Sequence, residues 1–264
     1  MSSVEHGKSR YAFSTGALYP LETEEAFRRI KDAGFENAEM MPQALSDVSD
    51  ASALRFDRTG IRISSIHFPL VFFGMLYNAQ KTMIDDGRRF SDRLLSLGSR
   101  MGTEVLVVHP YVPSVEGYPE LLDKPVSDNL MWLADRCLKY GITMAMENSP
   151  KSCSTPQKLL DYIASFGDSG IKPMVDTTEV CEAGGDPAEF ISKAKPCHLH
   201  LSDFGGGKKH LPAGEGEIDW EAVRAALTGY EGYYTLEPSY RYYLSDIDEK
   251  LRKAHMFLEN WMPE

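Results

Sequence analysis

The sequence is poor in the features that mark secreted, membrane-bound or nucleic-acid-binding chains. It has only four cysteines, Cys137, Cys153, Cys181 and Cys197, and none forms a C-x-x-C pair. That suits reduced thiols in a cytoplasmic protein better than a disulfide framework. No run approaches the roughly 18 apolar residues of a membrane span. Residues 1–10 are polar and lack the apolar core of a signal peptide, so they are read as a flexible N-terminal extension. Dense basic runs are absent too. The 39 Asp and Glu outnumber the 28 Lys and Arg, for a formal net charge of −11. Such a chain repels a phosphate backbone, so no nucleic-acid partner is expected. The composition implies a soluble cytoplasmic protein with no membrane partner.

Also missing is a glycine-rich phosphate fingerprint after the first apolar run, where Thr15-Gly16-Ala17-Leu18 stands. An open doubly wound sheet that binds a dinucleotide would normally carry one. What is present is a recurring unit of helical stretch, glycine, short apolar run and polar loop. The glycines are Gly34, Gly60, Gly102, Gly141, Gly170 and Gly232. Glycine just past a helix can adopt the left-handed conformation that ends it. Thr155-Pro156 and Asp186-Pro187 each offer a side-chain cap followed by proline at the first helical position. The clearest helix is Lys81–Met101, with an apolar stripe of Phe90, Leu94, Leu95 and Leu97.

The apolar runs number eight: Tyr11–Thr15, Asn37–Met41, Arg62–His67, Glu104–His109, Thr143–Asn148, Pro173–Thr177, Cys197–Ser202 and Tyr233–Pro238. Strands alternating with helices imply βαβ units and a parallel sheet. Eight of them in 264 residues predict closure into one (β/α)₈ TIM barrel, since such barrels need about 250 residues. The expected organisation is a single domain over residues 1–264.

The polar residues gather at strand ends. His67, His109, Glu147, Asp176, His200 and Glu237 close six successive runs. In a TIM barrel that face carries the active site. Two-residue alternation places Ile63, Ser65 and His67 on one face, as it does Thr143, Ala145 and Glu147, and Tyr233, Thr235 and Glu237. Each residue alone has a plain structural reading. A glutamate at a strand end is usually a solvated rim residue, Asp176 suits a helix cap, and His200 suits a satisfied core histidine. Together they do not, because three carboxylates in one mouth repel unless a cation joins them. Glu147, Asp176, His200 and Glu237 are therefore read as ligands of one divalent metal, Mn²⁺, Mg²⁺, Co²⁺ or Zn²⁺. His67 and His109 are read as substrate contacts, with a second metal ion or a structural polar core left open. His198, one layer below His200 on the same face, is read as a supporting or core residue.

The motifs Met146-Glu147-Asn148-Ser149, Val175-Asp176-Thr177, His198-Leu199-His200-Leu201-Ser202-Asp203, Gly214-Glu215-Gly216-Glu217-Ile218-Asp219-Trp220 and Leu236-Glu237-Pro238 resemble the xylose-isomerase-like TIM barrels. That superfamily includes sugar isomerases and epimerases, inosose and dehydroshikimate dehydratases and the endonuclease IV repair enzymes. The resemblance implies that Glu147, Asp176, His200 and Glu237 bind the catalytic metal. It also implies that Glu147 and Glu237 move protons beside a carbonyl, through an enediolate that the metal stabilises. The departures are informative. Endonuclease IV carries Asp-Thr-x-His where this chain reads Asp176-Thr177-Thr178-Glu179, and Asp-x-His where it reads Lys208-Lys209-His210. Two ligands of one of its three zincs are thus absent. Ketose 3-epimerases carry His where Glu179 stands and Glu where Lys151 stands.

Glu179, Lys208 and His210 join His67 and His109 as candidate substrate contacts. Lys208 and His210 lie in a glycine-rich loop read as mobile and able to close over an anionic substrate. The reading is a metal-dependent isomerase or epimerase of a sugar, sugar acid or polyol ketone. A metal-dependent dehydratase is the alternative, followed by an endonuclease IV-like enzyme or a non-catalytic sugar-binding barrel. The partner expected is a small carbohydrate, with a homodimer left open.

Overall fold

The structure is a computed structural model that describes residues 9–113, 115 and 117–262. Eight parallel strands close into a barrel, and helices between them form the outer layer. The chain runs β1 (Tyr11–Ser14), α1 (Thr23–Asp32), β2 (Asn37–Met40), α2 (Asp50–Asp57), β3 (Arg62–His67), α3 (Phe73–Leu76), α4 (Lys81–Met101) and β4 (Val105–Val108). It continues through α5 (Lys124–Lys139), β5 (Thr143–Met146), α6 (Pro156–Ala164), β6 (Lys172–Asp176), α7 (Thr177–Glu182), α8 (Pro187–Ala194) and β7 (His198–Leu201). The last part comprises β8 (Asp203–Gly205), β9 (Lys208–Leu211), α9 (Trp220–Ala226), β10 (Tyr234–Leu236) and α10 (Ile247–Trp261). Strands β1 to β7 and β10 form the barrel in the order β1-β10-β7-β6-β5-β4-β3-β2.

Local chemistry accounts for many boundaries. In α4 the stripe Phe90, Leu94, Leu95 and Leu97 is buried, as its spacing predicts. Burying each such side chain stabilises the fold by about 2 kcal/mol. Thr155 caps α6 through Lys158 N at 3.3 Å, and Asp186 caps α8 through Glu189 N at 3.0 Å. Five of the six punctuating glycines take positive φ; Gly232 does not. There a Cβ would lie 2.8 Å from the Cys197 carbonyl oxygen, so glycine is needed for close approach rather than for a turn.

The expected flexible extension falls mostly on residues 1–8, which lie outside the described residues. Ser9 already joins the barrel, its carbonyl accepting from Asn37 Nδ2 at 2.7 Å. Among the described residues, no helix is long and apolar enough to cross a membrane.

Two features depart from the sequence reading. The first is a register shift between β2 and β3, where Ala38 pairs with Ile63 but Glu39 pairs with Ser65. Ser64 is the extra residue, a β-bulge. Ile63 therefore joins Ala38 in the outer core and does not share a face with Ser65 and His67. The second is the glycine-rich segment, which is a hairpin of β8 and β9 rather than an open loop. Gly206 and Gly207 both have positive φ, the requirement of a tight two-residue turn.

Asp203 anchors this hairpin. Its buried carboxylate accepts from Phe204 N, Gly214 N and Trp220 Nε1 at 2.8–2.9 Å and from Ile218 N at 3.1 Å. Gly216 packs so closely that a Cβ there would strike Asp203. Asp203→Ala leaves these donors without their acceptor and should cost about 3 kcal/mol. Chemical denaturation should show the loss, and an unchanged midpoint would contradict the anchoring role.

Candidate functional site

The barrel interior is apolar below and polar above. Val105, Val107, Ala145 and Met174 form the lower plug. Over it, the strand ends of β5, β6, β7 and β10 bring ligand atoms of Glu147, Asp176, His200 and Glu237 within 4.8 Å of one another. His200 is the hub. Its Nδ1 lies 2.9 Å from Glu237 Oε2, 3.5 Å from Glu147 Oε1 and 4.0 Å from Asp176 Oδ2. Asp176 and His200 are fully buried, Glu147 nearly so, and Glu237 is 14% exposed at the open side.

Each carboxylate divides its oxygens between structure and site. Asp176 Oδ1 caps α7 by accepting from Glu179 N at 3.0 Å, so the capping reading of this residue is correct for one oxygen. Its Oδ2 faces the ring without a hydrogen-bond partner among the described residues. Asn148 holds the Asp176 backbone from both sides, donating to its carbonyl at 3.2 Å and accepting from its N–H at 2.7 Å. Ser14 Oγ donates to Glu237 Oε1 at 3.5 Å. Glu147 Oε2 faces His109 Nε2 at 2.8 Å and His67 Nε2 at 3.7 Å.

His67 and His109 thus meet Glu147 from the far side, with their Nε2 atoms 3.1 Å apart. His67 is fixed because its Nδ1–H donates to the Phe68 carbonyl at 2.7 Å. Phe73 stacks on His67 and packs edge-on against His109, forming an aromatic wall at the mouth.

The hairpin delivers His210 and Lys209 to the other side. His210 has φ of +51°, a conformation that non-glycine residues reach only when their surroundings impose it. Its Nε2 lies 3.5 Å from Glu179 Oε1 and its Nδ1 lies 4.0 Å from Asp176 Oδ2. Lys209 Nζ lies 2.7 Å from Glu182 and 3.7 Å from Glu179. Lys208 is exposed beside the turn and has no hydrogen bond or ion pair to the ring among the described residues.

The electrostatics follow from crowding. Burial, reinforced by the Glu147 and Glu179 charges and opposed by His210, pushes the Asp176 carboxyl up to about 7. Burial favours the neutral form of Glu147, but His109, His200 and His67 outweigh it and hold that carboxyl well below its ordinary range. Burial likewise opposes charge on His200, yet the Glu237 and Glu39 charges raise it well above the usual imidazole value. His210 is raised to about 9, because Glu179, Asp176 and Glu237 outweigh its burial.

The residues fit a divalent cation. Asp176 Oδ2, Glu147 Oε2 and both His200 nitrogens are buried without an aligned hydrogen bond among the described residues. Three oxygens and one nitrogen, with no sulfur, match a hard or borderline cation rather than a structural zinc site. Two further groups, His67 with His109 and Glu147, and Glu39 with His198 and His200, also bring their ligand atoms within 4.8 Å of one another.

Sequence reasoning missed Glu39. It is completely buried on β2, faces the interior and touches both His198 and His200. A charged residue inside an apolar strand was the available signal. Tyr240 and Tyr243, part of an aromatic-basic cluster after Glu237, pack against Tyr19 and Phe13.

A family model described as the xylose isomerase-like TIM barrel matches residues 27–261. Several solved structures share the fold. A 3-keto-D-glucoside 4-epimerase from E. coli is 19% identical, with a TM-score of 0.77 over 96% of this chain and 100% of its own. A D-tagatose 3-epimerase-like protein is 21% identical, with a TM-score of 0.76 over 96% of this chain and 97% of its own. A D-psicose 3-epimerase from Clostridium cellulolyticum H10, solved with D-tagatose, is 14% identical, with a TM-score of 0.77 over 96% and 99%.

Proposed function

The chain belongs to the xylose isomerase-like TIM barrel family, and on that premise we propose that it is a divalent-metal-dependent epimerase or isomerase of a neutral ketose. The observation that carries this reading is the ring of three carboxylates around His200 Nδ1, with buried acceptor atoms left over. Glu147, Asp176, His200 and Glu237 would hold the ion. When bound, it supplies Lewis-acid polarisation of a carbonyl and stabilises negative charge on the adjacent oxygens. The names of the similar structures, epimerases of keto sugars, agree with this class.

The chain's own residues account for the proton movements. Strands β5 and β10 stand three steps apart around the eight-stranded ring. Glu147 and Glu237 therefore approach a bound carbon from different sides, one as base and the other as acid. Glu237, partly open to solvent, is steadied by Ser14. His109, with 38% of its side chain exposed, is placed to hydrogen-bond a substrate hydroxyl, and His67 backs it. Phe73 packs against both rings and helps to hold them in place.

A neutral substrate is supported by the pairing of Lys209 with Glu182 and Glu179, which leaves its charge compensated. A dehydratase would need an acid beside the departing hydroxyl, and His210, raised to about 9, supplies a second reading of that kind.

The test is a panel of free ketoses, their phosphates and inososes, incubated with Mn²⁺ in D₂O. Deuterium should enter beside the carbonyl of a free ketose, with an epimer or isomer formed and no new ultraviolet chromophore. A conjugated chromophore would replace this reading with dehydration. Sugar binding without any exchange would make the protein a binding barrel.

A further inference from the structure

Glu39 lies one layer below the ring, where no substrate reaches. Two donors and one further imidazole converge on its carboxylate. Ser65 Oγ donates to Oε2 at 2.9 Å. His198 Nε2–H donates to the same oxygen at 3.0 Å. His200 Nε2 stands 2.9 Å from Oε1, in a contact that is short but bent. A carboxylate in a barrel interior persists only where such partners offset its desolvation. The fold is arranged to provide them. The bulge at Ser64 turns Ser65 inward opposite Glu39. The two-residue period of β7 puts His198 and His200 on one interior face. Their rings meet edge-on with centroids 5.5 Å apart, so His198 forms the floor beneath His200.

His200 has two nitrogens and two kinds of neighbour. Nδ1 faces Glu147, Asp176 and Glu237, whereas Nε2 faces Glu39. A cation held at Nδ1 leaves the neutral ring one proton, on Nε2, and Glu39 Oε1 is the carboxylate beside it. We propose that Glu39 is a positioning residue of the metal site, which fixes His200 as the Nε2–H tautomer and turns its Nδ1 lone pair toward the three carboxylates. The inference rests on the metal-dependent reading. Partners of this kind orient the ring and raise its basicity, and losing one typically weakens metal affinity 10- to 100-fold. Glu39 touches neither substrate nor ion. It acts only through His200, with His198 and Ser65 holding it in turn.

The test is calorimetric titration of Mn²⁺ into the metal-free full chain, as wild type and as Glu39→Gln. Circular dichroism and melting curves of both metal-free proteins serve as fold controls. Wild type should bind about one Mn²⁺ per chain. Glu39→Gln should remain folded and bind about 10- to 100-fold more weakly. In the Zn²⁺-loaded wild type, long-range ¹H–¹⁵N spectra should place the His200 proton on Nε2. A merely structural role would lower the melting temperature and leave the affinity of the folded variant unchanged.

Affinities within twofold of each other overturn the proposal and leave the metal reading intact. Wild type that takes up no Mn²⁺, Zn²⁺, Mg²⁺ or Co²⁺ overturns both. Should Glu39→Gln fail to fold, the Nε2–H resonance of the Zn²⁺-loaded wild type decides, because a proton without the downfield shift of a hydrogen bond to a carboxylate overturns the assignment.

Discussion

Glu147→Gln and Glu237→Gln should each lose solvent hydrogen exchange into the substrate, by about 10²- to 10⁴-fold, the usual contribution of a positioned acid or base. Glutamine keeps the shape of the side chain and one oxygen for the ion, but it cannot take up a proton. The two variants differ in what else they disturb. Glu147 lies beside His109, His67 and His200. Its replacement should therefore also weaken Mn²⁺ binding and free His109. Glu237 is at the open side, tied chiefly to His200 and Ser14. Its replacement should leave the rest of the ring in place. Exchange measured by mass spectrometry at saturating Mn²⁺ separates loss of chemistry from loss of metal. Full exchange in either variant would remove that glutamate from proton transfer.

Stripping the metal should abolish turnover and lower the melting temperature by about 10 °C, and adding Mn²⁺ back should restore both. The size follows from linkage. A ligand at a thousand times its dissociation constant stabilises the folded state by about 4 kcal/mol. In a chain of this size each kcal/mol shifts the melting temperature by about 2–4 °C. The effect has a pH signature. Burial, with the neighbouring Glu147 and Glu179 charges, raises the Asp176 carboxyl to about 7 in the metal-free protein. Below about 7 that carboxyl holds a proton which the cation must displace. Affinity should therefore fall as the pH drops through 7, and for Asp176 alone it should be flat above it. Calorimetry in buffers of different ionisation enthalpy should detect more protons released at pH 6 than at pH 8. No bound metal and no change on chelation would contradict the metal centre itself.

The barrel was legible in the sequence because its signals are local. The eight apolar runs reappear as the eight barrel strands, shorter by a residue or two at most ends. Helix α4 spans Lys81–Met101, as its 3.6-residue stripe predicts. Thr155 and Asp186 cap where their Pro-containing pairs place them. Strand ends were legible too, so the structure brings Glu147, Asp176, His200 and Glu237 together as the alternation of the strands suggests. Asp176 shows that capping does not exhaust a carboxylate, since one oxygen accepts from Glu179 N and the other faces the ring without a hydrogen-bond partner among the described residues.

What the chain by itself determined is therefore the fold class, the limits of α4, the starts of α6 and α8 and the identity of the residues at the mouth, because periodicity and capping depend on residues only a few positions apart. Only the tertiary structure decided how those residues are supported. The bulge at Ser64 shifts which side chains of β3 face inward, and no local pattern marks it. The hairpin brings His210 to Asp176, which stands more than thirty positions earlier in the chain. Glu39 meets His198 across a sequence separation of 159 residues. Such contacts are set by closure of the barrel, which joins strands distant in sequence around one axis. A buried carboxylate, the imidazoles beside it and a serine turned inward acquire meaning only once that closure has made them neighbours.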